Sequence, residues 1–212
     1  MTATIDTRHS TATLYEASGL DCACAARLRP AWPGARLAGP AYTVRGLGGD
    51  NLALHRAVAA APPGHVLVAD LQRAIHGHWG EVLAFAARTR GLLGLVIDGG
   101  VRDTTELAGL DFPVFASSIS VTGTRKNHPG VLGEPIVLAG VPVATGDLVV
   151  ADADGVVCLP RAAALSIITR ADERVRDEHR ILHELREGQT TLDLYNLCPS
   201  GETSSPTGDR GE

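Results

Sequence analysis

The feature that most constrains the fold is an apolar run that stays apolar until its end. Residues 93–98 read Leu-Gly-Leu-Val-Ile-Asp and lead directly into Gly99-Gly100. A strand without polar alternation is buried on both faces, as in a parallel sheet covered by helices. Helices are predicted on either side of it, at residues 80–89 and 104–108, so this part of the chain is predicted to alternate between helix and strand.

The rest of the chain extends this pattern and then changes it. Further helices are predicted at 10–28 and 51–60, and further strands at 41–45, 65–69 and 113–117. Later come four short strands separated by turn dipeptides, which predict hairpins, at 136–139, 141–144, 147–151 and 156–159. A long charged helix follows at 161–188. Parallel pairing followed by hairpins predicts a mixed-sheet α/β sandwich, as one domain over 1–196 with a disordered tail over 197–212.

Composition excludes several partners. The chain has 212 residues and a formal net charge of −5, which disfavours binding to nucleic acid phosphates. No apolar run approaches the roughly 20 residues that cross a bilayer. The first ten residues lack the apolar core of a signal peptide, and four scattered cysteines are typical of reduced thiols, so a cytoplasmic location is predicted.

Lysine usage limits the covalent chemistry. Lys126 is the only lysine in the chain, and the other residues among its 19 lysines and arginines are all arginines. It is predicted to lie in an exposed turn at 124–130 rather than in a desolvated pocket. Enzymes that form imines, and phosphate loops of the Walker type, need a placed lysine amine. Lysine-dependent covalent catalysis is therefore disfavoured.

Two loops carry the candidate chemistry. Arg102-Asp103 follows the apolar strand and its two glycines, and Gly80-Glu81 opens the helix after strand 65–69. Consecutive parallel strands would place both loops at one edge of the sheet, where ligands collect. An arginine there can grip a carboxylate, an aspartate can hold a hard cation, and the free amides at the helix start suit a carboxylate.

The two acidic residues, Asp103 and Glu81, also have purely structural interpretations. Asp103 and Glu106 have the spacing of a capping box, and Glu81 could be a first-turn acid that complements the helix dipole. His76 and His78 lie beside the turn, where either could contact the distal part of a substrate or have no role.

The spacing of these motifs resembles the signature of the RraA-like superfamily. Gly80-Glu81 is followed after twenty intervening residues by Arg102-Asp103 and then Glu106. The superfamily includes the class II 4-hydroxy-4-methyl-2-oxoglutarate/4-carboxy-4-hydroxy-2-oxoadipate aldolases. The resemblance covers roughly residues 12–197, and its other landmarks are Pro33-Gly34, Gly49-Asp50-Asn51, Gly64-His65-Val66, Phe112-Pro113-Val114 and Gly146-Asp147.

This resemblance implies a fold like the swivelling (phosphohistidine-like) domain and assembly as a homotrimer or a hexamer built as a dimer of trimers. It also implies Mg²⁺ or Mn²⁺ held by Asp103, with Glu81 acting through water and Arg102 pairing with a pyruvyl group. The amides of the turn that starts at Gly80 (Gly80, Glu81, Val82, Leu83) would take the substrate carboxylate. Glu178 on the C-terminal helix of a neighbouring subunit would approach the metal through water.

The implied reaction is a metal-dependent carbon–carbon lyase reaction on a pyruvyl-containing 2-oxo acid, by retro-aldol cleavage or by oxaloacetate decarboxylation. Either route must stabilise an enolate, which takes a lysine imine or a divalent metal, and the lysine usage favours the metal. The well-studied aldolases carry aspartate at the Glu81 position, which leaves the substrate open. A regulator that binds a protein partner is an alternative, although the ribonuclease-regulating members lack a full Arg-Asp pair. Another alternative is an enzyme of a specialised pathway that acts on an unusual keto acid, with His76, His78 and Trp79 forming the wall of its substrate pocket.

Overall fold

The computed structural model describes residues 8–197. In chain order the elements are α1 Thr11–Ser18, β1 Arg29–Pro30, β2 Leu37–Arg45, α2 Leu52–Ala60, β3 Val66–Asp70, α3 Glu81–Thr89, β4 Gly94–Val101, α4 Thr104–Gly109, β5 Val114–Ile119, β6 Val131–Leu132, β7 Ile136–Leu138, β8 Val141–Val143, β9 Leu148–Asp152, β10 Gly155–Leu159, α5 Arg161–Arg186 and α6 Thr191–Leu194.

The predicted mixed sheet is confirmed. Its strands follow the order β1-β5-β4-β3-β2-β9-β10, with β6 paired to β2. Strands β2 to β5 are parallel to one another. Strand β9 joins β2 antiparallel and forms a hairpin with β10, and β7 and β8 form a separate hairpin.

Three apolar clusters hold the layers together. Helices α2, α3 and α4 pack on one face of the parallel strands through residues such as Leu54, Leu83 and Leu107. The hairpin β7–β8, through residues such as Leu138, belongs to a second cluster with side chains of the main sheet that include Val68 and Val96. A third cluster joins β9 and β10 to α1 and to the first turns of α5. Strand β4 is buried along its whole length, because helices cover one of its faces and β-structure covers the other.

The predicted helix at 10–28 is wrong beyond Ser18. Gly19 adopts a left-handed conformation with φ 63° and ends the helix. The chain then runs extended beside β10, where the Cys24 N–H donates to the Val156 carbonyl at 2.9 Å. The other predicted elements are present with displaced ends, whereas β1, β6 and α6 were not predicted. These three have only two to four residues, too few for a periodic pattern.

The chain divides into two compact units, Met1–Asp172 and Glu173–Glu212. A single domain over 1–196 therefore stays a prediction, and most of the predicted tail at 197–212 lies outside the described residues. Among those residues, no helix combines the length and apolarity needed to cross a membrane.

Candidate active site

The two candidate loops meet at the carboxyl edge of β3 and β4. The two strands pair in register from Val66 opposite Gly94 to Asp70 opposite Asp98, so both strands end at the same edge of the sheet. The loop after β3 then returns to β4: Trp79 bridges to Val101. These contacts bring Gly80-Glu81 beside Arg102-Asp103, as the parallel pairing predicts.

Glycines allow the backbones to approach this closely. Beyond a shift in register between Ile97 and Gly100, β4 continues alongside β5. A Cβ on Gly100 would lie 2.5 Å from the His76 carbonyl oxygen, and one on Gly77 would lie 2.6 Å from the Ser120 carbonyl oxygen. The loop can pack against the strand end only because these positions lack side chains.

The Asp103 carboxylate caps a helix other than the one it precedes. Asp103 is the N-cap residue of α4, but it has a left-handed backbone (φ 56°, ψ 43°) and makes no side-chain cap bond there. Its Oδ2 instead accepts the N–H of Glu81, at the start of α3, at 3.1 Å. The capping-box interpretation with Glu106 is therefore wrong. Left-handed backbone at a non-glycine residue costs free energy, least for Asp and Asn, and is often found at functional sites.

Arg102 lies beside this carboxylate and is open to solvent. Its Nε is 3.6 Å from Asp103 Oδ2, and its side chain is 47 % exposed. The stem of Arg102 runs over glycines: a Cβ on Gly77 or Gly80 would approach it within 3.0 or 3.1 Å. A Cβ on Gly80 would also lie 2.3 Å from Asp103 Oδ2. Gly80 therefore makes room for both charged side chains.

These groups open into one cavity of about 210 Å³. Its lining residues are Asn51, His55, Gly77, His78, Gly80, Val82, Leu83, Arg102, Asp103 and Lys126. Glu81 is exposed and is not among them. The Glu81 N–H, one of the four amides assigned to a substrate carboxylate, is already bound by Asp103.

His78 lines the cavity with both ring nitrogens engaged. Nε2 accepts the N–H of Gly49 at 3.0 Å, and Nδ1 lies 3.2 Å from the Gly100 carbonyl oxygen. A nitrogen that accepts an N–H carries no proton, so the proton is on Nδ1. Burial, opposed by the contact with Gly100, lowers the pKa of His78. Its ring thus joins two loops, and a hydrogen bond from the ring to a substrate would have to replace one of these contacts.

Two other residues of the predicted set are not among the residues that line the cavity. Trp79 is fully buried and stacks on Phe112, so it does not form part of a substrate wall. Glu178 belongs to the second compact unit and pairs with Arg174 at 3.0 Å. Its contact with a metal of a neighbouring subunit stays a prediction.

Sequence reasoning missed Asn51, His55 and Lys126 as cavity residues. The Asn51 amide donates to the His78 carbonyl at 3.0 Å, and its Oδ1 is buried with no hydrogen-bond partner in the described part of the chain. Burial and the charge of Lys126 lower the pKa of His55. Lys126 is exposed, as predicted, and it also lines the cavity, which was not predicted. Its being the chain's sole lysine was the available signal.

Fold and site together define a class of protein. It is a mixed α/β protein whose parallel strands end in a cavity with two cationic side chains, one carboxylate and a helix N-terminus. A family model described as RraA-like, Aldolase/RraA, matches residues 11–158. The chain belongs to this RraA-like family, as the sequence resemblance predicts.

Individual relatives support the same assignment. A protein of Halalkalibacterium halodurans named "Putative 4-hydroxy-4-methyl-2-oxoglutarate aldolase" is 36 % identical over 147 residues, covering 68 % of this chain and 69 % of that protein. An uncharacterized protein from Pseudomonas syringae has a similar structure, with a TM-score of 0.80, 27 % identity and 90 % of each chain covered. The RNA-processing inhibitor RraA from Thermus thermophilis gives a TM-score of 0.66 at 27 % identity, covering 73 % of this chain and 94 % of its own. Proteins similar to this chain therefore include one named as an aldolase and one named as an inhibitor.

Proposed function

We propose that this chain is a divalent-metal-dependent lyase that cleaves a carbon–carbon bond in a pyruvyl-containing 2-oxo acid. The reaction would be retro-aldol cleavage of 4-hydroxy-4-methyl-2-oxoglutarate or a relative, decarboxylation of oxaloacetate, or both. The observation that carries the proposal is the convergence of Arg102, the Asp103 carboxylate and the start of α3 on one cavity. A cation, a ligand for a hard metal and oriented amides are groups with which a metal-dependent enzyme can stabilise an enolate.

The donor set fits a hard cation that keeps most of its water. The Asp103 side chain is 37 % exposed, and the described residues contain no group of three His, Cys, Asp or Glu placed to bind a metal. Proteins usually hold Mg²⁺ through one or two carboxylates, with water completing the shell. Asp103 would hold Mg²⁺ or Mn²⁺ directly and Glu81 would act through water; the ion would polarise the keto oxygen as a Lewis acid.

The side chains and amides of this chain would bind and orient the substrate. The Arg102 guanidinium can pair with the pyruvyl oxygens and balance the negative charge of the enolate. Val82 and Leu83 line the cavity in the first turn of α3, where N–H groups lack partners within the helix and suit a carboxylate. Glu81, exposed beside the cavity, would hold the water through which the proton moves.

Lys126 would receive the second acid group of the substrate. Both candidate substrates carry a carboxylate beyond the pyruvyl unit, and Lys126 and Arg102 are the cationic side chains among the cavity residues. Imine formation is the competing role for Lys126, because Lys126 lines the cavity in which the substrate would bind. An imine-forming lysine is normally desolvated, whereas Lys126 is exposed. Borohydride reduction in the presence of pyruvate should leave Lys126 unmodified, as judged by mass spectrometry.

A regulator that binds a protein partner is the second candidate. It is favoured by the apolar surface of α3, where Val82 is 78 % exposed and Phe85 is 61 % exposed. We also propose that the chain forms a homotrimer or hexamer and that it is located in the cytoplasm. In such an assembly, contacts between subunits would cover Val82 and Phe85. Light scattering of the purified chain measures the assembly.

The deciding experiment is pyruvate release from oxaloacetate and from 4-hydroxy-4-methyl-2-oxoglutarate, first with EDTA and then with Mg²⁺ or Mn²⁺. Release that depends on metal and disappears in Asp103→Asn supports the lyase. If both substrates stay intact and oxalate binds, a different keto acid is the substrate. If both stay intact and oxalate does not bind, the regulator is favoured.

A further inference from the structure

We infer that Asp50 is a positioning residue that holds the Lys126 segment against the cavity and so sets the affinity for substrates with a distal carboxylate. The inference rests on the proposed function and extends it to a residue outside the cavity lining. It starts from one buried carboxylate that joins two distant segments.

The Asp50 side chain connects the start of α2 to the segment that carries Lys126. Asp50 is 5 % exposed. Its Oδ1 accepts the N–H of Leu52 at 2.9 Å, and its Oδ2 accepts the N–H of Asn127 at 2.6 Å. Asn127 directly follows Lys126, so this bond fixes the backbone on one side of the lysine.

Backbone hydrogen bonds fix the other side of the lysine. The Arg125 N–H donates to the Gly49 carbonyl and the Asn51 N–H donates to the Arg125 carbonyl, each at 2.9 Å. Residues 125 and 127 are thus both bound to residues 49–51, while the Lys126 side chain remains exposed. Because most residues from 121 to 129 are exposed, burial contributes little to holding this segment.

The anchor requires a carboxylate. Burial raises the pKa of Asp50, but hydrogen bonds from the N–H groups of Asn127, Leu52 and His128 outweigh it, so the pKa lies below its ordinary value. A carboxylate accepts hydrogen bonds at both oxygens, whereas an asparagine amide accepts at only one. Asp50→Asn therefore leaves either Leu52 or Asn127 without its acceptor at nearly constant side-chain size.

A double-mutant cycle tests whether Asp50 acts through Lys126. We expect Lys126→Ala to raise the KM for oxaloacetate about tenfold and Asp50→Asn to raise it about fivefold, with a smaller change in kcat. The double variant should match Lys126→Ala alone, because a released anchor has no effect once the lysine is gone. Asp152→Asn is the matched control: Asp152 is 6 % exposed, accepts three hydrogen bonds and does not line the cavity. It should lower the Tm without raising the KM.

Two outcomes would overturn the inference: additive effects in the double variant, or an unchanged KM in folded Asp50→Asn. If Asp50→Asn does not fold, hydrogen exchange of the wild-type chain decides. The Asn127 amide should then exchange at least about tenfold more slowly than the amides of the exposed residues Val121 and Gly123, and equal rates would refute the anchor. If the wild type cleaves neither substrate and does not bind oxalate, the proposed function fails. In every case where neither substrate is cleaved, the exchange result still tests the anchor separately.

Discussion

Two aspartates in this molecule each cap the start of a helix, and they differ in how much of the carboxylate remains free to bind a ligand. Asp152, at the end of β9, accepts the N–H of Thr11 at the start of α1, and Asp103, after β4, accepts the N–H of Glu81 at the start of α3. Each carboxylate caps a helix that is distant in the sequence. The Asp152 carboxylate also accepts the Thr11 hydroxyl and the Asp154 N–H and is 6 % exposed.

Asp103 is the opposite case. Its side chain is 37 % exposed, its backbone is left-handed, and an arginine stands 3.6 Å away. A carboxylate with all its partners supplied by the protein contributes to stability, whereas one with open coordination can bind a ligand. We therefore expect substitutions at Asp152 to affect folding and substitutions at Asp103 to affect catalysis.

The largest expected effect comes from removing each carboxylate. Asp103→Asn should reduce metal-dependent pyruvate release by about three orders of magnitude, with a Tm close to wild type because Asn tolerates left-handed backbone. Asp152→Ala should lower the free energy of unfolding by roughly 2–4 kcal/mol, since it leaves buried donors without acceptors. Activity assays and urea unfolding of both variants measure this. A stable Asp152→Ala variant with lost activity would reverse the comparison.

The second effect concerns the space in front of Asp103. Gly80→Ala adds a methyl group whose carbon would lie 2.3 Å from the present position of Asp103 Oδ2. The carboxylate must therefore move. A displacement near 1 Å can cost about a hundredfold in rate. The Gly80 backbone is extended, with φ −159°, so the loss would be steric. Gly109→Ala is the control, because nothing lies within 4 Å of its Cβ position, and it should have wild-type kcat/KM.

The third effect is the acid sensitivity of the Asp152 carboxylate, which accepts its hydrogen bonds from within the protein. Burial raises the pKa of Asp152, but hydrogen bonds from Thr11 and Asp154 outweigh it and hold that pKa below the ordinary value of 3.8. A carboxyl with a lowered folded-state pKa stabilises the protein above its unfolded value, and this stabilisation is lost as the pH falls through the folded pKa. Asp152→Asn should therefore lose less stability than wild type between about pH 5 and pH 3, measured as urea midpoints. Parallel curves would contradict the assignment.

The smallest effect belongs to His78 beside the open site. Burial lowers its pKa from the ordinary value of 6.5, so the unfolded chain binds a proton first as the pH falls. Stability should therefore decrease as the pH falls below about 6.5, where the unfolded chain takes up the proton. In His78→Gln this part of the pH dependence should be absent.

Local patterns predicted much of this architecture. The apolar run before Gly99-Gly100, the alternation of strand and helix, and the hairpin turns are features of neighbouring residues, and the structure confirms them. The predicted helix at 10–28 is wrong beyond Ser18 because the following segment pairs with β10. That partner lies more than a hundred residues away, and its influence leaves no periodic trace in the segment itself.

The amino-acid sequence by itself determined the class of fold, the edge of the sheet where Arg102 and Asp103 lie, and the family. Each of these follows from residue order within short stretches. Only the tertiary structure decided which helix Asp103 caps, that His78 joins two backbone loops, and that Lys126 faces the cavity. The physical reason is that these outcomes depend on hydrogen bonds between segments far apart in the chain, 22 residues for Asp103 and Glu81 and 77 for Asp50 and Asn127. Such pairings are selected by the packing of the whole sheet and its helices.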